Sequence, residues 1–238
     1  MARLSARSMA AFLAALLAGS PLATLAYEIP LASDSVREAY FLGQRNDEKT
    51  AHFFDPYTKH FPPPPAGPYI SQIELLTPYA QVVDRSQHKT VGYSAQDAEE
   101  DYHALGDTLV VYVRIEFTAT YTYLQALASA NRAAEKQGLN LQDEDFWRDF
   151  EFGLSPTAPA GGSSGTVGKQ PESSAIEPRE TQATPIYAPG GGPLGTLAGT
   201  VVRLVYDAKE VPSEPVQFEV IAPGGRHVTA TFDLSKLR

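Results

Sequence analysis

The densest chemistry in the chain is a run of carboxylates, Asp143, Glu144, Asp145, Asp149 and Glu151. Two such groups flanking a sugar, one protonated and one ionised, hydrolyse a glycosidic bond. The acid of that pair needs a cleft that raises its pKa. In a chain with 28 acidic residues, a cluster of this density also arises by chance. It is not a calcium loop either, because Phe146 and Trp147 stand where oxygen ligands and a glycine belong.

Other matches fail on context. Ser86-Gln87-His88-Lys89 has the spacing by which a lysine takes the proton of a serine nucleophile. The Ser-Asp-Asn and Lys-Thr-Gly partners of such enzymes are missing, and the stretch reads as a solvated loop. Gly190-Gly191-Gly192-Pro193-Leu194-Gly195 spells a dinucleotide fingerprint, but a proline sits inside it and a strand pattern follows where a helix is required. Before Gly168-Lys169, Ser163 replaces the first glycine of a phosphate loop, and Gln170 replaces its magnesium-binding hydroxyl. His52, Asp55 and His60 are zinc-type ligands, yet Pro56 breaks any helix that would align them. These residues name no catalytic group, no metal site and no cofactor.

Aromatic side chains offer binding rather than catalysis. Tyr112 falls on the polar face of a predicted strand, and Tyr121 and Tyr123 continue its alternation, so the three form a candidate platform for sugar rings or a partner protein. The same tyrosines also suit packing beneath a helix beginning at Leu124.

These groups have to be carried by mainly β structure. Leu109, Val111, Val113, Ile115 and Phe117 alternate with Thr108, Tyr112, Arg114 and Glu116, the pattern of a half-buried strand. Ile73 with Leu75, Phe150 with Phe152 and Leu154, Val202 with Leu204 and Tyr206, and Val216 with Phe218 and Val220 repeat it. Pro223-Gly224-Gly225 then turns the chain into Val228, Ala230, Phe232 and Leu234, which predicts a closing hairpin. With shorter candidates at 79–83 and 175–187, about seven strands predict an antiparallel β-sandwich of immunoglobulin-like shape with short helical additions. Helices are expected after the capping-box pair Ser35 and Glu38, at 94–105, and from Leu124 to Gln137 ahead of Gly138.

The domain plan follows from composition. Arg3 and Arg7 precede an apolar run from Met9 to Leu17 and a small-residue boundary at Ala26, the layout of a signal peptide over 1–26 cleaved between Ala26 and Tyr27. The run is too short to span a bilayer, so no stable membrane span is expected after cleavage. Residues 27–68 read as a helix and a Pro-rich spacer ending in Pro62-Pro63-Pro64-Pro65. Residues 69–238 form the β domain, with a mobile loop near 156–170. Without Arg3 and Arg7, 17 basic residues face 28 acidic ones, a net −11, which disfavours nucleic acid. The chain has no cysteine and no N-x-Ser/Thr sequon, which fits bacterial export and excludes thiol chemistry.

Val36-Arg37-Glu38-Ala39-Tyr40-Phe41-Leu42-Gly43, Ile73-Glu74-Leu75-Leu76-Thr77-Pro78-Tyr79 and Phe232-Asp233-Leu234-Ser235-Lys236-Leu237-Arg238 resemble segments of an uncharacterised family of exported proteins from soil bacteria. The resemblance implies a periplasmic or extracellular setting and transfers no functional residue. The expectation is a non-enzymatic binding or assembly module that engages an envelope protein or a glycan. A carboxylate-dependent polysaccharide hydrolase or carbohydrate-binding domain is the alternative. Oligomeric state is not written in these residues.

Overall fold

The computed structural model describes residues 27–89, 91–122, 144–157, 175–188 and 196–238. The signal-like segment, the expected helix at 124–137, most of the expected loop near 156–170 and the glycine-rich run at 190–195 lie outside the described residues.

Helices α1 (Ser33–Arg45) and α2 (Glu48–Phe54) lead into the short strand β1 (Thr58–His60). The strand β2 (Pro68–Leu76) follows, then helices α3 (Pro78–His88) and α4 (Ala95–Leu105), and the long strand β3 (Thr108–Phe117). After these come β4 (Glu151–Pro156), β5 (Glu180–Ala188), β6 (Thr196–Asp207), β7 (Pro215–Ala222) and β8 (Arg226–Asp233). The strands make two sheets, β1-β2-β3-β6-β5 and β4-β7-β8, and every pairing is antiparallel.

Period two decides the core. Ile73, Leu75, Val111, Val113, Ile115, Val202, Leu204 and Tyr206 of the first sheet share one buried cluster with Leu154, Val216, Phe218, Val220 and Phe232 of the second. The last two strands form the expected hairpin, closed by Gly225 N–H donating to the Ala222 carbonyl at 2.9 Å. Gly224 and Gly225 hold φ of +98° and +80°, conformations closed to most side chains.

Helices take a larger share than expected, so the fold is mixed rather than mainly β. The chain leaves β2 through Thr77, whose hydroxyl caps α3 by accepting from Ala80 N–H at 3.2 Å, with Pro78 in the first turn. The candidate strand at 79–83 is therefore part of α3. Its burial of Tyr79, Val82, Val83 and Ser86 follows the helical period. Helix α4 forms where the acidic run predicts one, closed by a capping box between Ser94 and Asp97. The expected box between Ser35 and Glu38 does not form. Helix α1 begins at Ser33, Ser35 Oγ donates to Glu28 at 2.7 Å, and Glu38 receives Arg238 at 2.6 Å.

Helices α1, α3 and α4 bury a second cluster of Val36, Ala39, Tyr79, Val82, Val83, Ala98 and Tyr102. Residues 27–68 contribute to the core and to the first sheet. Tyr27 and Tyr57 are buried in the core between the sheets, and β1 pairs with β2. Among the described residues no helix is long and apolar enough to cross a membrane.

Candidate functional site

The face of the five-stranded sheet turned away from the core carries its polar residues in cross-strand rows. Pairing places Gln72 opposite Arg114 and Glu74 opposite Tyr112, and across β3 sets Arg114 against Val201 and Tyr112 against Arg203. Helix α3 lies against one side of this face and contributes Asp84. Together Gln72, Glu74, Leu76, Tyr112, Arg114, Val201 and Asp84 line a cleft of about 220 Å³.

Most charges on this face are matched. Arg114 Nε donates to Glu116 at 2.6 Å, Tyr69 OH donates to the other Glu116 oxygen at 3.2 Å, and Arg203 lies 3.5 Å from Glu180. Glu74 differs: among the described residues its carboxylate has no hydrogen bond and no ion pair. Burial raises its pKa above the ordinary carboxylate range, and the negative charge of Asp84 adds to the rise. Asp84 is also raised by burial, while His88 and Arg85 pull it back. His88 Nδ1 stands 3.4 Å from the Asp84 carboxylate. The cleft thus holds one carboxyl group with no counter-charge and a second that partly has one. An aromatic ring and a guanidinium stand beside them.

The residues expected from sequence do not gather here as a set. Tyr112 lines the cleft. Strand β3 ends at Phe117, and Tyr121 stands on a helical turn with its ring packed edge-on against Phe117 at 5.1 Å between centroids, on the core side. Tyr112 and Tyr121 therefore serve opposite faces, and Tyr123 lies outside the described residues.

The carboxylates at 144–151 sit on a 3₁₀ turn, Glu144–Asp149, and at the start of β4, all exposed. Glu144 accepts from Tyr187 OH and Asp145 lies 3.3 Å from Arg148, while Asp143 is outside the described residues. The described ones all face solvent, whereas a general acid there requires a desolvated cleft.

Ser86 is not in a solvated loop: it is fully buried on α3 against Gly43 of α1, its hydroxyl without a partner among the described residues. Lys89, past the helix end, donates to Asp101 at 2.8 Å, so the serine and lysine are not paired for acyl chemistry. His52 Nδ1 lies 2.9 Å from Asp55, and His60 is exposed on β1.

Sequence reasoning missed Glu74 and Asp84 as site residues. Comparison with known proteins finds no matching family model, no curated protein and no solved structure that resembles the chain.

Proposed function

We propose that the chain is an exported, non-enzymatic binding module of the bacterial envelope, immunoglobulin-like in architecture, whose cleft holds one polyhydroxylated ring of a glycan. Strand order supports the architecture. With β1 set aside, the sheets read β2-β3-β6-β5 and β4-β7-β8, which follows the A-B-E-D and C-F-G arrangement of immunoglobulin constant domains. Helices α3 and α4 are then an insertion between the first two strands.

The observation that carries the binding reading is the half-buried Glu74 carboxylate, unpaired among the described residues and facing a cleft of about 220 Å³. A sugar supplies what this carboxylate lacks, since adjacent hydroxyls donate to its two oxygens. Tyr112 offers a ring face to the apolar side of a pyranose, and Gln72 and Arg114 donate to remaining oxygens. The volume falls below the roughly 300 Å³ at which pockets for drug-sized ligands begin, which suits a single ring.

The test is a titration of the chain from Tyr27 onward with mono- and oligosaccharides from bacterial envelopes, followed by calorimetry and amide NMR shifts. Binding is expected to weaken at least about tenfold in Tyr112→Ala and Glu74→Gln, the scale of losing one aromatic contact or one charged hydrogen bond. Binding indifferent to both substitutions, or no saccharide bound at millimolar concentration, defeats the reading. A hydrolase reading rests on Asp84 raising Glu74 in one cleft, and turnover of a bound oligosaccharide lost in Glu74→Gln would favour it.

A further inference from the structure

An open sheet edge is a row of unpaired N–H and C=O groups that invites another strand. Three of the edges described here are blunted. Strand β1 has three residues and runs on into Phe61 and the four prolines. Strand β5 carries Pro185 in its middle and slips register between Ile186 and Tyr187. Outside β4, Ile176 forms an antiparallel bridge with Leu154.

Strand β8 has neither proline nor register slip, although β2 and β1 lie beside it: Arg226 donates to the Pro68 carbonyl at 3.4 Å, and Lys59 Nζ stands 5.8 Å from the centre of the Phe232 ring. Its eight residues, Arg226–Asp233, contain no proline, and its register with β7 runs unbroken from Ala222 opposite Arg226 to Pro215 opposite Asp233. Among the described residues nothing hydrogen-bonds to its outer backbone edge.

The strand is also complementary to itself. An antiparallel copy with Ala230 opposite its own counterpart sets Val228 against Phe232, Thr229 against Thr231 and His227 against Asp233. Ala230 and Phe232 are buried and Val228 half-buried on the core side, whereas His227, Thr229 and Thr231 are exposed on the other side. In this register apolar residues meet apolar residues on one face, and threonines meet threonines on the other. His227, already 2.7 Å from Glu219, gains a second carboxylate in Asp233, which among the described residues holds Lys236 at 2.7 Å and Ser235. A slip of one residue sets the core side of one copy against the solvent side of the other. A slip of two loses the His227 to Asp233 pairing.

We propose that two copies of the chain associate through β8, with two-fold symmetry, into a continuous six-stranded sheet β4-β7-β8-β8-β7-β4. The glycan cleft lies on the other sheet, so the dimer presents two clefts, and the proposal stands or falls independently of what they bind.

Because the chain has no cysteine, a single engineered one reports alone. Under mild oxidation Ala230→Cys should crosslink to its counterpart. Thr229→Cys and Thr231→Cys should each crosslink poorly alone and efficiently when mixed. Sedimentation velocity should show a monomer–dimer equilibrium in the unmodified chain. Thr229→Lys/Thr231→Lys and Thr229→Glu/Thr231→Glu should each shift it at least about tenfold toward monomer, and an equimolar mixture should restore the dimer. Both positions are exposed, so the variants should fold, as circular dichroism would verify. A chain that stays monomeric up to about 1 mM, the weak end of specific association, overturns the proposal. So does a dimer whose Ala230→Cys form does not crosslink, or one indifferent to the lysine and glutamate pairs.

Discussion

A carboxylate that gives up water without gaining a cation is a cost to the folded state, and Glu74 is in that position. Its raised pKa means that the folded chain holds the proton more tightly than the unfolded chain. The cost is absent below the ordinary glutamate range, where both states are protonated, and complete above the raised folded value. Glu74→Gln should therefore melt higher than the parent at neutral pH, by up to about 1 kcal/mol of stability, as when a strained functional group is relieved. The gain should disappear near pH 3, and melting curves at the two pH values check it. A neutral or destabilising outcome at pH 7 would mean that Glu74 is matched within the fold. Little of this was readable beforehand. Glu74 occupies a polar slot in a period-two pattern, where a solvated acid looks the same as a confined one. Asp84 could join it only once α3 was recognised, and an apolar run such as 79–83 suits a strand as readily as a buried helix.

Where α1 crosses α3, the backbones approach closely enough that a Cβ on Gly43 would meet the Val83 carbonyl oxygen at 2.3 Å and Ser86 Cβ at 2.7 Å. Alanine favours a helix over glycine by roughly 1 kcal/mol, but here the obstacle is backbone that cannot swing aside. Gly43→Ala should destabilise by about 1–3 kcal/mol, the cost of overpacking, read from the urea midpoint. Stabilisation instead would show that the helices part freely. Strands with one wet face, such as β3, announced themselves through alternation, and Pro223-Gly224-Gly225 announced the hairpin. In the helical layer α1 and α4 were legible from their polar and acidic patterns, whereas α3 was not, because its apolar run at 79–83 follows directly on β2 and only the burial of Tyr79, Val82, Val83 and Ser86 reveals the helical period. Composition describes Pro62 to Pro65 well, but the burial of Tyr57 just before them depends on residues far along the chain.

At the scale of the whole molecule, the far end of the chain braces its beginning. Arg238 donates to Glu38 at 2.6 Å and stacks over Tyr79 at 4.7 Å, while its carbonyl accepts from Tyr57 OH at 2.8 Å and from Thr77. Arg238 holds the Glu38 carboxyl below its usual range. That contribution is therefore full above the ordinary glutamate pKa and is lost as pH falls through the lowered one, the reverse of Glu74. Glu38→Gln should cost about 0.5 kcal/mol at pH 7, as for a half-exposed pair, and nothing at pH values where the carboxyl is protonated. Chemical denaturation across that range measures the difference. Tyr27, too, is pinned from afar, its N–H donating to the Leu237 carbonyl at 2.7 Å and its hydroxyl to the Ala208 carbonyl at 3.0 Å. Contacts spanning 200 residues set an order of events during synthesis. The emerging polypeptide can form local helices and hairpins, and α1 can pack on α3 and α4, but Tyr27 and Tyr57 find the partners that pin them only when Ala208, Leu237 and Arg238 are available. Until then the stretch that carries the first buried tyrosines is held by none of these distant partners, so the fold closes last at the place where it begins.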